Sequence, residues 1–155
     1  MTIVDKIKAT IQAAVEVDYG QTDINDDPVL ESIDVWYHDE PTLNVLTSQM
    51  RFPCVMFQLL TNGRVVQEGG QVKEAVTAAV FFVDKTEFDF DGEDNEVIID
   101  QCKARAFTWL SWLSSSELVG IETVNRTTRV YDRYDDILMG FGVSVDLKEI
   151  NGLCV

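Results

Sequence analysis

Six carboxylates crowd one short stretch of this chain. Glu87, Asp89, Asp91, Glu93, Asp94 and Glu96 surround a single glycine, Gly92, in "TEFDFDGEDNE". Oxygen donors at alternate positions are what a calcium loop needs, and closely paired carboxylates are what acid–base catalysis needs. Taking Gly92 as the sixth residue of an EF-hand loop places Glu87, Asp89 and Asp91 at its first, third and fifth positions. The same alignment puts Asp94 at the eighth position, where an apolar residue anchors the loop. It puts Ile98 at the twelfth, where a bidentate carboxylate belongs. The first position is also Glu instead of Asp, and a strand pattern precedes the loop, so the stretch is not an EF-hand. Asp89 and Asp91 are left as donors for weak divalent-ion binding. A catalytic acid of the glycosidase kind needs burial to raise its pKa, whereas carboxylates in an open acidic run stay solvated. The stretch therefore reads as a strand-to-helix crossover. Asp94 is expected to cap the helix, with Glu96 in its first turn, where negative charge meets the positive end of the helix dipole.

Other reactive residue types are sparse. His38 is the one histidine, too few for a triad or a zinc site that draws on several imidazoles. Ser114, Ser115 and Ser116 follow a helical pattern without an evident activating base. No phosphate-binding glycine motif or nucleophile elbow occurs; the glycine pairs are those of "EGGQ" and "GFG". Cys54, Cys102 and Cys154 are odd in number and form no CxxC, which fits reduced thiols in a protein made in the cytoplasm. No catalytic, cofactor or metal residues are assigned. Arg126, Arg129 and Arg133 fall within eight residues of a cation-poor chain. They read either as an exposed strand face with ordinary surface pairs, or as a subunit interface meeting an acidic segment of a neighbouring copy.

The elements that must carry these residues follow from periodicity. Ile3, Ile7, Ile11 and Val15 recur every four residues and predict an amphipathic helix over about residues 2–17, with Thr2 as N-cap, Asp5 three positions on, and Gly20 as terminator. The acidic stretch to Pro28 reads as loop, and "SIDVWYH" (32–38) as a short edge strand. Pro53 opens the strand "PCVMFQLL". "TNGR" (61–64) gives a hairpin turn, "VVQ" a short strand, and "EGGQ" (68–71) a second break. A long strand starts at Val72, with Val76, Ala78, Val80 and Phe82 on one face. Phe81 and Val83 make its far end apolar on both faces, which predicts a covering helix there. Ile98, Cys102, Ala106, Trp109, Leu110 and Leu113 mark one face of a second helix, closed by "SSSE". Two strands complete the chain. In the last, Ile137, Met139, Phe141, Val143, Val145 and Leu147 alternate with Leu138 and otherwise small or polar residues, and Gly140 and Gly142 predict a bend or close approach by another backbone. The order α–β–(β)–β–α–β–β predicts a single α+β domain over residues 1–155. Its mostly antiparallel sheet has about four to six strands, with two helices on one face. The uncovered face or edges are then available to another subunit.

Charge is concentrated in two places. The net charge is −15. Residues 16–40 hold nine acids and no Lys or Arg, and residues 84–100 hold eight acids against Lys85 alone, so these windows account for the whole imbalance. Such a chain does not attract DNA or anionic lipid, which need clustered cations. The start "MTIVDKIKAT" lacks the pattern of a secretory signal, and no apolar run is long enough to span a bilayer, so a soluble protein is expected.

The layout as a whole resembles the tail terminator (tail-completion) and neck proteins of tailed bacteriophages. The resemblance rests on the helix "MTIVDKIKATIQAAV", the strand "RFPCVMFQ", the long strand "VKEAVTAAVFFVD", the helix "EVIIDQCKARAFTWLSWL" and the final hairpin ending "YDRYDDILMGFGVSVDLKEI". It covers about residues 1–150 and implies a small, non-enzymatic α+β subunit of a ring, usually hexameric. Such a ring caps the tail tube, contacts tail-tube and neck or connector proteins, and lets genome DNA pass without specific binding. The implied location is the virion, after synthesis in the host cytoplasm. The contrasting expectation is a ligand- or calcium-binding α+β module unrelated to virions, and a small acid-dependent enzyme is a third.

Overall fold

A computed structural model describes residues 1–37, 50–60, 63–86, 92–133 and 138–154, the side chains of Asp132 and Arg133 excepted. The elements are α1 (Ile3–Ala14), β1 (Glu16–Thr22), β2 (Pro28–Ser32), β3 (Asp34–Tyr37), β4 (Cys54–Leu59), β5 (Arg64–Glu68), β6 (Gln71–Lys85), α2 (Gly92–Trp112), β7 (Val119–Arg133), β8 (Leu138–Glu149) and β9 (Leu153–Cys154). The protein is α+β, with a mostly antiparallel main sheet and two helices on one face.

β6 is the axis of the main sheet, which runs β3-β4-β6-β8-β7. Its run of Val, Ala, Thr and Phe suits a strand flanked on both sides. The second half of β6 pairs with β4 and most of its length pairs with β8. Its first residues pair with β5 on one side and β9 on the other. Gly69 and Gly70, both at positive φ, close the tight β5–β6 turn as "EGGQ" predicts. β7 forms the outer edge beyond β8, and its pairing is interrupted by three register shifts.

The helices cover one sheet face. Thr2 and Asp5 form a full capping box: the Asp5 N–H donates to Thr2 Oγ1 (3.1 Å) and the Thr2 N–H to Asp5 Oδ2 (3.2 Å). Ile3, Ile7 and Ile11 of α1 then join Ile98, Ile99, Cys102, Ala106 and Trp109 of α2 over Val76, Ala78, Val80 and Phe82 of β6. Each fully buried Ile or Phe there contributes roughly 1.5–3 kcal/mol. One polar contact fixes the two helices against each other inside this apolar layer. Trp109 Nε1 donates to Thr10 Oγ1 (3.1 Å), which itself donates to the Ile7 carbonyl (2.7 Å).

Several expectations need correction. α1 ends at Ala14, not near Gly20, and the predicted loop before Pro28 is mostly strand. β1 and β2 form their own two-stranded antiparallel sheet, with the chain at Gly20 (φ +85) bulging outward. β3 is an edge strand as expected, but it runs parallel to β4. Nine strands are described where four to six were expected, because β1, β2 and β9 carry too little apolar periodicity to stand out. α2 already begins at Gly92, so Asp94 lies within its first turn and is not the cap, and Glu96 lies beyond that turn. On the far end of β6, Val83 and Phe81 are covered by a second cluster containing Met50, Cys54, Met56, Val130, Leu138, Trp36 and Phe52, none of them on a described helix.

The close approach expected at the β8 glycines is present. A Cβ at Gly140 would overlap the Phe82 carbonyl oxygen and come within 2.9 Å of Val83 Cα, whereas one at Gly142 would meet the Phe81 ring at 2.6 Å. Backbone cannot yield as a half-buried ring can. Gly140→Ala should therefore cost about 3 kcal/mol of unfolding free energy and Gly142→Ala about 1 kcal/mol. Gly92→Ala, with nothing within 4 Å, should cost nothing. Thr10→Val should cost about 1–3 kcal/mol by stranding the Trp109 N–H. Urea denaturation of the four variants measures all of these.

Candidate interaction surfaces

The residues that could do chemistry are separated by the fold. Among the described residues no three His, Cys, Asp or Glu side chains are grouped to hold a metal ion. His38 and the centre of the acidic loop, residues 87–91 with Asp89 and Asp91, lie outside the described residues. The serines after α2 serve the backbone: Ser114 Oγ donates to the Ser111 carbonyl (2.8 Å), Ser115 Oγ to that of Trp112 (3.1 Å), and Ser116 Oγ accepts from the Leu118 N–H (3.1 Å). Cys54 and Cys102 are buried, and burial pushes both thiols up, Cys102 to about 12. A thiol held that far above its ordinary value has almost no thiolate with which to react.

The three arginines do not form one patch. On a strand, residues an odd number apart face opposite ways. Arg126 pairs across from Ser144 and shares with Thr128 and Val130 the face opposite the described helices. Arg129 pairs across from Phe141 on the helix side. There its guanidinium contacts Glu96 of α2 and donates through Nε to the Tyr131 hydroxyl (2.8 Å). Those two contacts raise its pKa further, the Tyr131 bond first. Arg129 is thus neutralised within its own chain. Arg133 is the last residue of β7, opposite Leu138, and its side chain lies outside the described set. Arg126 has no ion pair among the described residues.

Most charges near Arg126 are already matched. Lys148 Nζ bonds both carboxylate oxygens of Glu68 (2.9 and 3.1 Å) and approaches Glu122 (3.8 Å), which also meets Arg64. Asp146 accepts from Thr77 Oγ1 (2.5 Å) and Asn125 Nδ2 (3.0 Å), and these bonds hold its pKa below the ordinary carboxylate value. Beside this network a groove of about 250 Å³ crosses the face opposite the described helices. Ala79, Gly142 and Ser144 leave its floor low, while Gln58, Leu60, Phe81 and Arg126 border it. A second recess of about 420 Å³ lies where β5, β6 and β9 extend past the rest of the sheet, lined by Val65, Val72 and Leu153.

The first part of the acidic window at residues 16–40 forms a hairpin beside the main sheet. Asp23 Oδ1 accepts the N–H groups of Asn25 (2.8 Å) and Asp27 (3.0 Å), and the Asp23 N–H donates to the Asp27 carbonyl (2.9 Å). This side-chain-built turn, with Asp26 at φ +61, joins β1 to β2 and leaves Ile24 at its tip 99% exposed. At the base, Arg51 makes a two-pronged contact with Asp34 (2.8 and 2.9 Å), reaches Glu31 (3.4 Å) and lies 4.0 Å above the Tyr19 ring. The Tyr19 hydroxyl donates to the Pro53 carbonyl (2.7 Å) and accepts the Asp34 N–H (2.9 Å). Arg51 and Tyr19 carry no motif. The signal that could have found them is the first arginine after a long cation-free acidic run.

In native protein a thiol reagent should modify Cys154, which is exposed, and leave Cys54 and Cys102 unmodified. Denaturant should release the other two, as a chromogenic disulfide titration would count; rapid modification of three thiols in the native state would contradict the burial. No described helix is long and apolar enough to cross a membrane. Compared with known proteins, the chain matches no protein-family model and no curated sequence.

Proposed function

We propose that this chain is a non-enzymatic virion protein, a ring-forming tail terminator or neck subunit at the head–tail junction of a tailed bacteriophage. The observation that carries the reading is the order and stacking of its elements. An N-terminal helix and α2 cover one face of a sheet built on β4, the long β6 and the β7–β8 hairpin, and the other face is partly open. These are the segments on which the resemblance rests. An uncovered sheet face and free edges are what a subunit needs to meet copies of itself.

The charge distribution supports the same role. A hexamer would carry about −90, so its acidic hairpins and loops must be spaced apart or screened by cations. Acid facing the central channel would repel the phosphate backbone and let DNA pass without holding it. Acid facing outward would steer basic surfaces of tail-tube and connector proteins toward the ring.

The test is sedimentation velocity of the wild-type protein across concentration, with and without millimolar magnesium. A closed oligomer, hexameric by the resemblance, should appear and should gain stability as salt or magnesium rises. A protein that stays monomeric at every concentration with magnesium present would overturn the ring. Calorimetric titration with calcium addresses the calcium-binding module, which a stoichiometric heat would favour.

A further inference from the structure

We propose that copies of this chain join head to tail, the tip of the β1–β2 hairpin of one copy seating in the groove beside Arg126 of the next. This deepens the ring reading and rests on it. The hairpin tip combines a fully exposed apolar side chain, Ile24, with Asp23, Asp26 and Asp27. An isoleucine 99% exposed at the end of a projecting turn has no packing role within its own chain. The groove is its chemical complement. Phe81 and the 46% exposed Leu60 offer apolar walls over a floor of Ala79 and Gly142, and Arg126 supplies a cation with no ion pair among the described residues. Elsewhere on that face the basic groups near the groove, Arg64 and Lys148, are matched within the chain.

Position in the fold makes the pairing directional. The hairpin leads directly into β3, at one edge of the main sheet, while Arg126 lies on β7, at the other. The groove runs from Gln58 and Leu60 at the end of β4 to Arg126 on β7, so knob and hole are different patches of one copy and can engage two different neighbours. Such a contact is heterologous, and repeated copies close into a ring when the rotation per step allows. The turn is also ready for docking. Its Asp23-centred hydrogen bonds and the Arg51–Tyr19 anchor hold the projection in one shape, so little order need be gained on binding.

The experiment uses Ile24→Asp, which spoils the knob, and Arg126→Glu, which spoils the hole; both sites are exposed, and circular dichroism verifies folding. By sedimentation each variant alone should associate at least about tenfold more weakly than wild type. An equimolar mixture should form dimers and no rings, because it offers one intact knob to one intact hole. Adding Asp27→Arg to Arg126→Glu in one chain should restore part of the lost association. In a Cys154→Ser background, Ile24→Cys with Thr128→Cys should give an intermolecular disulfide ladder on oxidation. If wild type forms rings and both variants form them equally well, without a ladder, this interface is overturned while the ring stands. If wild type itself never associates, both fall.

Discussion

Strand β6 is held by hydrogen bonds along both edges, and the placement of everything else depends on that pairing. β4 and β8 flank its second half, while β5 and β9 flank its first residues. Because neighbouring side chains on a strand alternate between faces, this one register decides which residues meet the helices. It turns Val76, Ala78, Val80 and Phe82 toward α1 and α2, and Thr77, Ala79 and Phe81 toward the opposite face, the last two into the groove. A slip of one residue on β6 would place Thr77 in the helical core and Phe82 on the open face.

Parts of this arrangement were legible because a single face dictates them. The four-residue step of Ile3, Ile7 and Ile11 and the alternate residues Met139, Phe141, Val143, Val145 and Leu147 of β8 each report burial in the layer between helices and sheet, and both elements are present, the helix shorter than its pattern suggested. Gly140 and Gly142 were readable because the absence of a side chain on a strand records the approach of a neighbour. The β1–β2 sheet was not legible. Val17 is its one buried side chain, its strands pair with each other, and its turn is made by the Asp23 carboxylate, so no alternation marks it. "DINDD" is nonetheless an Asx-turn sequence, and it offered the missing signal. The parallel pairing of β3 with β4 is set by where the chain returns across residues remote in sequence, which local pattern does not encode.

The arginines show a different limit. Closeness in sequence suggested one basic patch, yet strand parity sends Arg126 and Arg129 to opposite faces and gives them different electrostatic roles. Arg129 ties the edge strand to α2 through Glu96, an intramolecular use of charge near the surface that adds little stability. Arg126 has no ion pair among the described residues. The acidity divides similarly. Asp34 and Glu31 are held by Arg51 at the hairpin base, while the carboxylates at the tip face solvent. Six of the acids, Glu16, Asp18, Asp23, Asp26, Asp27 and Glu31, thus sit on one structured hairpin beside the main sheet.

The three register shifts of β7 have a consequence for life at high concentration. β7 is 15 residues long and its outer side has no strand partner among the described residues, so it could template strand-by-strand growth. Shifts between Ile121 and Thr123, Val124 and Arg126, and Val130 and Arg133 break the even spacing of donors and acceptors that an incoming straight strand would need. Arg126, which has no ion pair among the described residues, adds a charge to this edge strand. Among the described residues, the edge of β7 is thereby a poor template for fibrillar stacking despite its length.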